Sequence, residues 1–89
     1  MHEQAVMRDL LARILDVAQA EGASRVTRVD VRLGALSHFT PEHFREHFAD
    51  SSRGTPVEGA GVEVVLSVDA TDAAAAGVVL ECVELEVPD

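Results

Sequence analysis

Thr27-Arg28-Val29-Asp30-Val31-Arg32-Leu33 is the stretch that sets the architecture. Thr27, Val29, Val31 and Leu33 alternate with Arg28, Asp30 and Arg32, the two-residue period of a β-strand with one buried face. Gly34 ends it. Upstream, from Glu3 to Glu21, the residues Met7, Leu10, Leu11, Ile14, Val17 and Ala18 recur at steps of three and four, which places them on one face of an amphipathic helix. Glu3 and Asp9 lie toward its N-terminal end, where carboxylates complement the helix dipole, and Gly22 stands where a left-handed C-terminal residue is wanted. The strand's apolar face is expected against this helix.

Downstream, a connection over residues 36–39 leads into Thr40-Pro41-Glu42, which reads as N-cap, first helical residue and first-turn acid. Phe39 and Phe44 fall at the positions of a hydrophobic staple. A second helix from about Pro41 to Ser51 or Ser52 follows, with Phe44 and Phe48 facing the sheet and Gly54 as its stop. Thr55-Pro56 and Gly59-Ala60-Gly61 mark a surface loop. Val62, Val64, Leu66 and Val68 then alternate with polar residues as a second strand, whose other face Val65 makes partly apolar. Ala70 to Gly77 is too short to hold a helix alone and reads as a connector. The last strand begins near Val78. Leu80 and Cys82 share one parity, Val83, Leu85 and Val87 the other, so a β-bulge is expected between Cys82 and Glu84, with Cys82 as a small core residue. The fold class is α+β, two helices packed on a three-stranded sheet in the order α-β-α-β-β, as one domain over residues 1–89. The second and third strands are expected to be antiparallel neighbours, and the sheet edges offer a route to a homodimer.

Composition narrows the function. The chain has 89 residues, no Trp or Tyr and three Phe, so Val, Leu and Ala must fill one small core. A formal charge of −9 repels nucleic-acid phosphates and anionic lipid, which argues against a nucleic-acid partner. The sequence shows neither a bilayer-spanning apolar run nor a signal peptide, so a soluble cytoplasmic protein with no membrane partner is expected. A single Cys82 cannot close an intramolecular disulfide, and the four-thiolate pattern of a zinc ribbon is absent. No triad order, phosphate-cradling glycine loop or pair of tuned carboxylates stands out, and no catalysis is expected.

The chemistry-bearing stretch is Met1-His2-Glu3. An α-amine at Met1, the main-chain nitrogen of His2 and its imidazole can close adjacent small chelate rings on one cation. A planar nitrogen set suits Ni(II) or Cu(II) better than oxygen-seeking Mg or Ca, or tetrahedral structural Zn. His43 and His47 are one helical turn apart, a spacing that can place two imidazoles on one metal but more often marks a solvated face. His38, in the loop before the second helix, is a further candidate ligand.

These stretches together resemble the nickel-incorporation family HypA. MHE opens the chain, EGASRVTRVDVRLGALS covers residues 21–37, PEHFREHF opens the second helix, SRGTPVEGAGVEV spans residues 52–64, and GVVLECVELEV is similar to the family's terminal strand. The resemblance implies a nickel metallochaperone that delivers Ni(II), held by His2, Glu3 and the Met1 end of the backbone, to a nickel enzyme such as [NiFe] hydrogenase. Its implied partners are a HypB-like GTPase or a hydrogenase precursor. The family's zinc domain, with two CxxC pairs, belongs between the second and third strands. This chain has only DATDAAAAG at 69–77, so no zinc is expected. Many members carry a carboxylate just before the second helix where Thr40 stands here, with Glu42 and His38 near in sequence. The alternative is an adaptor or regulatory paralogue that keeps the docking surface without carrying metal.

Overall fold

The computed structural model describes residues 2–34, 39–67 and 77–88, the side chains of His2 and Glu3 excepted. The elements run α1 (His2–Ala20), β1 (Arg25–Leu33), α2 (Pro41–Ser52), β2 (Gly61–Leu66) and β3 (Val78–Glu86), in the expected α-β-α-β-β order. Residues 70–76 of the expected connector and Val68 lie outside the described residues.

Each helix ends as its sequence dictates. At the C-terminus of α1, Ala23 N–H donates to the Ala18 carbonyl at 2.9 Å and Gly22 N–H to Gln19 at 3.1 Å. Gly22 takes φ +70°, the left-handed conformation that a Cβ would strain. Pro41 opens α2, and the Thr40 hydroxyl caps it by accepting from the His43 N–H at 3.1 Å. The staple forms as an edge-to-face contact of Phe39 on Phe44, ring centroids 5.4 Å apart.

The sheet order is β2-β1-β3, with β2 parallel and β3 antiparallel to β1. The expected β2–β3 hairpin is therefore wrong: the two strands lie on opposite sides of β1. A helical crossover such as α2 returns the chain parallel to its first strand, and β3 then pairs along the other edge of β1. This order places the most deeply buried strand in the centre. Val26, Val29, Val31 and Leu33 are fully buried, packed with Met7, Leu10, Leu11, Ile14 and Ala18 of α1 and with Phe39, Phe44 and Phe48. Each such side chain contributes about 1.5–3 kcal/mol by leaving water.

Two irregularities revise the strand phases. Val26 pairs with Leu85 but Arg28 with Glu84, leaving Thr27 as an extra residue on β1. Val26 thereby takes the buried place expected for Thr27, whose hydroxyl donates to the Glu84 carbonyl at 3.1 Å. On β3, Asp30 pairs with Cys82 and Val31 with Leu80, so the extra residue is Glu81, just before the stretch expected to bulge. The two insertions oppose each other and restore the register. Leu80, Val83 and Leu85 are half-buried against the core, while Cys82 is exposed, contrary to the expected core position. It lies opposite Asp30 on the solvent face, where Arg28 pairs with Asp30 at 2.9 Å and Arg32 with Glu81 at 3.5 Å. The hydrogen bond that Arg28 donates to the Asp30 carboxylate raises the Arg28 pKa further.

Three apolar residues expected inside are not buried. Val17, at 38% exposure, lies at the margin of the helical arc, Leu66, at 53%, ends the edge strand β2, and Val87, also at 53%, falls just past the end of β3, beyond its last pairing with β1. Conversely, Val57 is fully buried within the expected surface loop. The Pro56 carbonyl beside it accepts from Val26 N–H at 3.0 Å, which draws the loop onto the start of β1.

Replacing Phe44 by Ala should cost about 3–5 kcal/mol by opening a cavity under the staple. Cys82→Ser should stay within about 0.5 kcal/mol, because its side chain faces water. Urea denaturation of both variants checks the pair; a large loss for Cys82→Ser would contradict its placement.

Candidate metal centre

The strand directions bring the chemistry-bearing stretches to one end of the molecule. α1 passes into β1 through residues 21–24, and α2 leaves β1 after residues 34–40, so both helices run opposite to β1. Their N-termini therefore lie at the end where β1 finishes. Packing agrees with this direction: Val6, Asp9, Leu10 and Arg13 of α1 line a depression together with Val78, the partner of Leu33. β2 ends and β3 begins at the same place. Ser67 N–H donates to the Leu33 carbonyl at 2.8 Å and Gly34 N–H to Gly77 at 2.9 Å, so the segment between β2 and β3 departs and returns beside the last residues of β1.

His2 is the first residue of α1 and Glu3 the second. Met1, His38 and the side chains of His2 and Glu3 lie outside the described residues. The first four N–H groups of an α-helix have no intrahelical acceptor, so the main-chain nitrogens of His2 and Glu3 are not committed to the helix ladder. Replacing their protons by a metal ion breaks no helical hydrogen bond. The positive end of the helix dipole also favours the anionic amide nitrogen such binding requires, while it opposes the bare cation. Nitrogen donors that bind as anions are thus better suited to this position than neutral oxygen donors.

Thr40 is committed elsewhere, since its hydroxyl accepts from His43 N–H. Glu42 is exposed in the first turn of α2. His43 and His47 lie side by side, ring centroids 4.8 Å apart and planes tilted by 38°. His47 also lines an open groove of about 750 Å³ between the helices, together with Gln4, Arg8 and Leu11 of α1 and Asp50 of α2. Gln4 is two residues from His2, so this groove reaches the beginning of α1. The sequence reading missed Gln4 and Arg8 as neighbours of His47. Their positions follow only once the two helices are known to run in the same direction. Among the described residues, no group of three or more His, Cys, Asp or Glu side chains is placed to hold a metal ion. No helix among them is long and apolar enough to cross a membrane.

Comparison with known proteins gives a consistent set of matches. The family model for hydrogenase/urease nickel incorporation, metallochaperone, hypA, matches residues 1–75, which take in α1, β1, α2 and β2. The hydrogenase maturation factor HypA of Methanopyrus kandleri is 42% identical over 64 residues, covering 72% of this chain and 45% of that protein. Its counterpart in Archaeoglobus fulgidus is 36% identical over 72 residues, covering 81% and 64%. The chain spans about half the length of the curated relatives it matches. The solution structure of the Ni metallochaperone HypA from Helicobacter pylori aligns with TM-score 0.79 at 17% identity, covering 97% of this chain and 98% of that one. At that identity the likeness is one of fold.

The capping role of Thr40 has a measurable consequence. Thr40→Ala should lower stability by about 0.5–2 kcal/mol, whereas Thr40→Asp, an equally good cap, should hold it near wild type. Chemical denaturation of the two variants distinguishes a cap from a bystander.

Proposed function

The chain belongs to the HypA family of nickel-incorporation metallochaperones, and from that premise we propose that it binds one Ni(II) at Met1-His2-Glu3 and delivers it for assembly of a nickel enzyme. The ion is cargo. The observation that carries the reading is the start of α1 at His2, which leaves the main-chain nitrogens of His2 and Glu3 outside the helix ladder. The His2 imidazole and nearby main-chain nitrogens supply the donors, with Glu3 contributing backbone or position rather than a carboxylate. Such donors must shed protons to bind, so affinity should rise with pH.

Delivery requires an acceptor. A HypB-like GTPase or a hydrogenase precursor is the partner class that fits, docking at the end of the molecule where β1 finishes. A cytoplasmic location follows from that role, as does the absence of catalysis by this chain itself.

The domain is proposed to fold without zinc. Its core is made by two helices and β1, and the segment between β2 and β3 is anchored at both ends beside Leu33 and Gly34. A domain inserted there would be a satellite on a closed core. The segment contains no Cys or His, so it supplies none of the usual soft zinc ligands.

Nickel titration by calorimetry and visible absorption, with Met1 as the first residue, tests the site. His2→Ala should weaken nickel by about 100-fold or more, roughly 2.8 kcal/mol, and leave the circular dichroism unchanged. Equal affinity in the variant sinks the assignment; a wild type that binds no nickel favours the adaptor reading instead. EDTA should leave the thermal melt of the metal-free protein unaltered, and a collapse on chelation would reveal a structural metal.

A further inference from the structure

The paired imidazoles on α2 have chemistry of their own. His43 and His47 are separated by one helical turn, on a face of α2 that adjoins the one carrying buried Phe44 and Phe48. Their ring centroids are 4.8 Å apart. Phe39 packs beside both, at 5.9 Å from His43 and 6.3 Å from His47. Phe39 is itself buried and held by its edge-to-face contact with Phe44. The two rings therefore share one rigid apolar neighbour, and less side-chain freedom is lost when an ion fixes them.

We propose that His43 and His47 form a two-imidazole chelate for a late first-row divalent cation, a site separate from Met1-His2-Glu3. Imidazole nitrogens bind such ions at about 2.0–2.1 Å, so two donors in adjacent coordination positions lie about 3 Å apart. Rings with centroids at 4.8 Å reach that separation by side-chain rotation, without moving the helix backbone. Neutral imidazole selects Ni(II), Cu(II) or Zn(II) over Mg(II) or Ca(II), which seek oxygen. Two protein donors leave the remaining positions to water, so the ion stays exchangeable. Negative charge nearby adds attraction: Glu46 lies on the exposed side of α2, and Asp50 lines the same groove as His47 while paired with Arg53 at 2.7 Å. The groove runs to Gln4, so the chelate lies along the face that leads to the start of α1.

The site is tested with Ni(II) alone in a His2→Ala background, where the N-terminal stretch has lost its imidazole. Paramagnetic broadening of backbone amide signals should appear across residues 43–48. His43→Gln and His47→Gln should each weaken that binding at least tenfold, since a chelate loses its advantage when either ring goes. Circular dichroism checks that α2 persists, and exposed His43 provides the safer variant should the half-buried His47 prove structural. Absence of broadening in the His2→Ala protein, or broadening that survives both substitutions, overturns the proposal. Nickel binding to the N-terminal stretch is read separately, by comparing wild type with His2→Ala in the His43→Gln background, so neither failure can be mistaken for the other.

Discussion

The burial of one face of β1 is the constraint on which the rest of the molecule depends. Val26, Val29, Val31 and Leu33 are all fully buried, whereas no residue of β2 or β3 is fully buried. A central strand has both rows of backbone groups hydrogen-bonded and one face covered by two helices, which a three-stranded sheet with β1 at its edge could not provide. With β1 central, the flanking strands are only half-buried along their inward faces, and the solvent face of the sheet is left to Arg28, Asp30, Arg32 and their acidic neighbours. The ion pairs on that face are exposed and contribute little; the strand is held by what lies beneath it.

The same constraint positions the chemistry. Because both helices run opposite to β1, their N-termini share the end where β1 finishes, and the connection into α2 and the segment between β2 and β3 meet there too. Three stretches far apart in sequence thus converge through strand direction alone. Among the described residues the buried core contains no His, Cys, Asp or Glu, so this end can vary its ligands and loops while the core stays intact.

Much of this was legible in the sequence, wherever a local rule decides. The helical period of α1, Gly22 at its end, Thr40 and Pro41 at the start of α2, and the Phe39–Phe44 staple each rest on interactions within a few residues. What escaped rests on pairing between distant segments. Thr27 was expected inward because alternation was assumed unbroken, yet the register with β3 inserts it as an extra residue and buries Val26. Cys82 was expected inside for the same reason, and the displaced bulge at Glu81 turned it to solvent. Val57 looked like loop, since the hydrogen bond that draws it inward comes from Val26, on another element. The pairing of β3 with β1 rather than β2 is the largest such case: a short connector suggests a hairpin, but the cost of exposing β1 outweighs the convenience of a short turn.

A carrier faces opposing demands, because it must hold its ion against water and release it to an acceptor. Donors built into a packed core would satisfy the first demand and defeat the second, since each ligand's release would disturb packing worth kcal/mol per side chain. The proposed donors avoid that conflict by their position. They belong to the first turn of α1, ahead of Met7, the first fully buried residue among the described side chains of that helix. Helix ends open with little free energy compared with global unfolding. Binding there orders only a terminus, and transfer to a partner can unwind that terminus while the helix from Met7 onward stays on the sheet. The affinity of the site can then be set by donor chemistry and proton competition, independently of the stability of the fold.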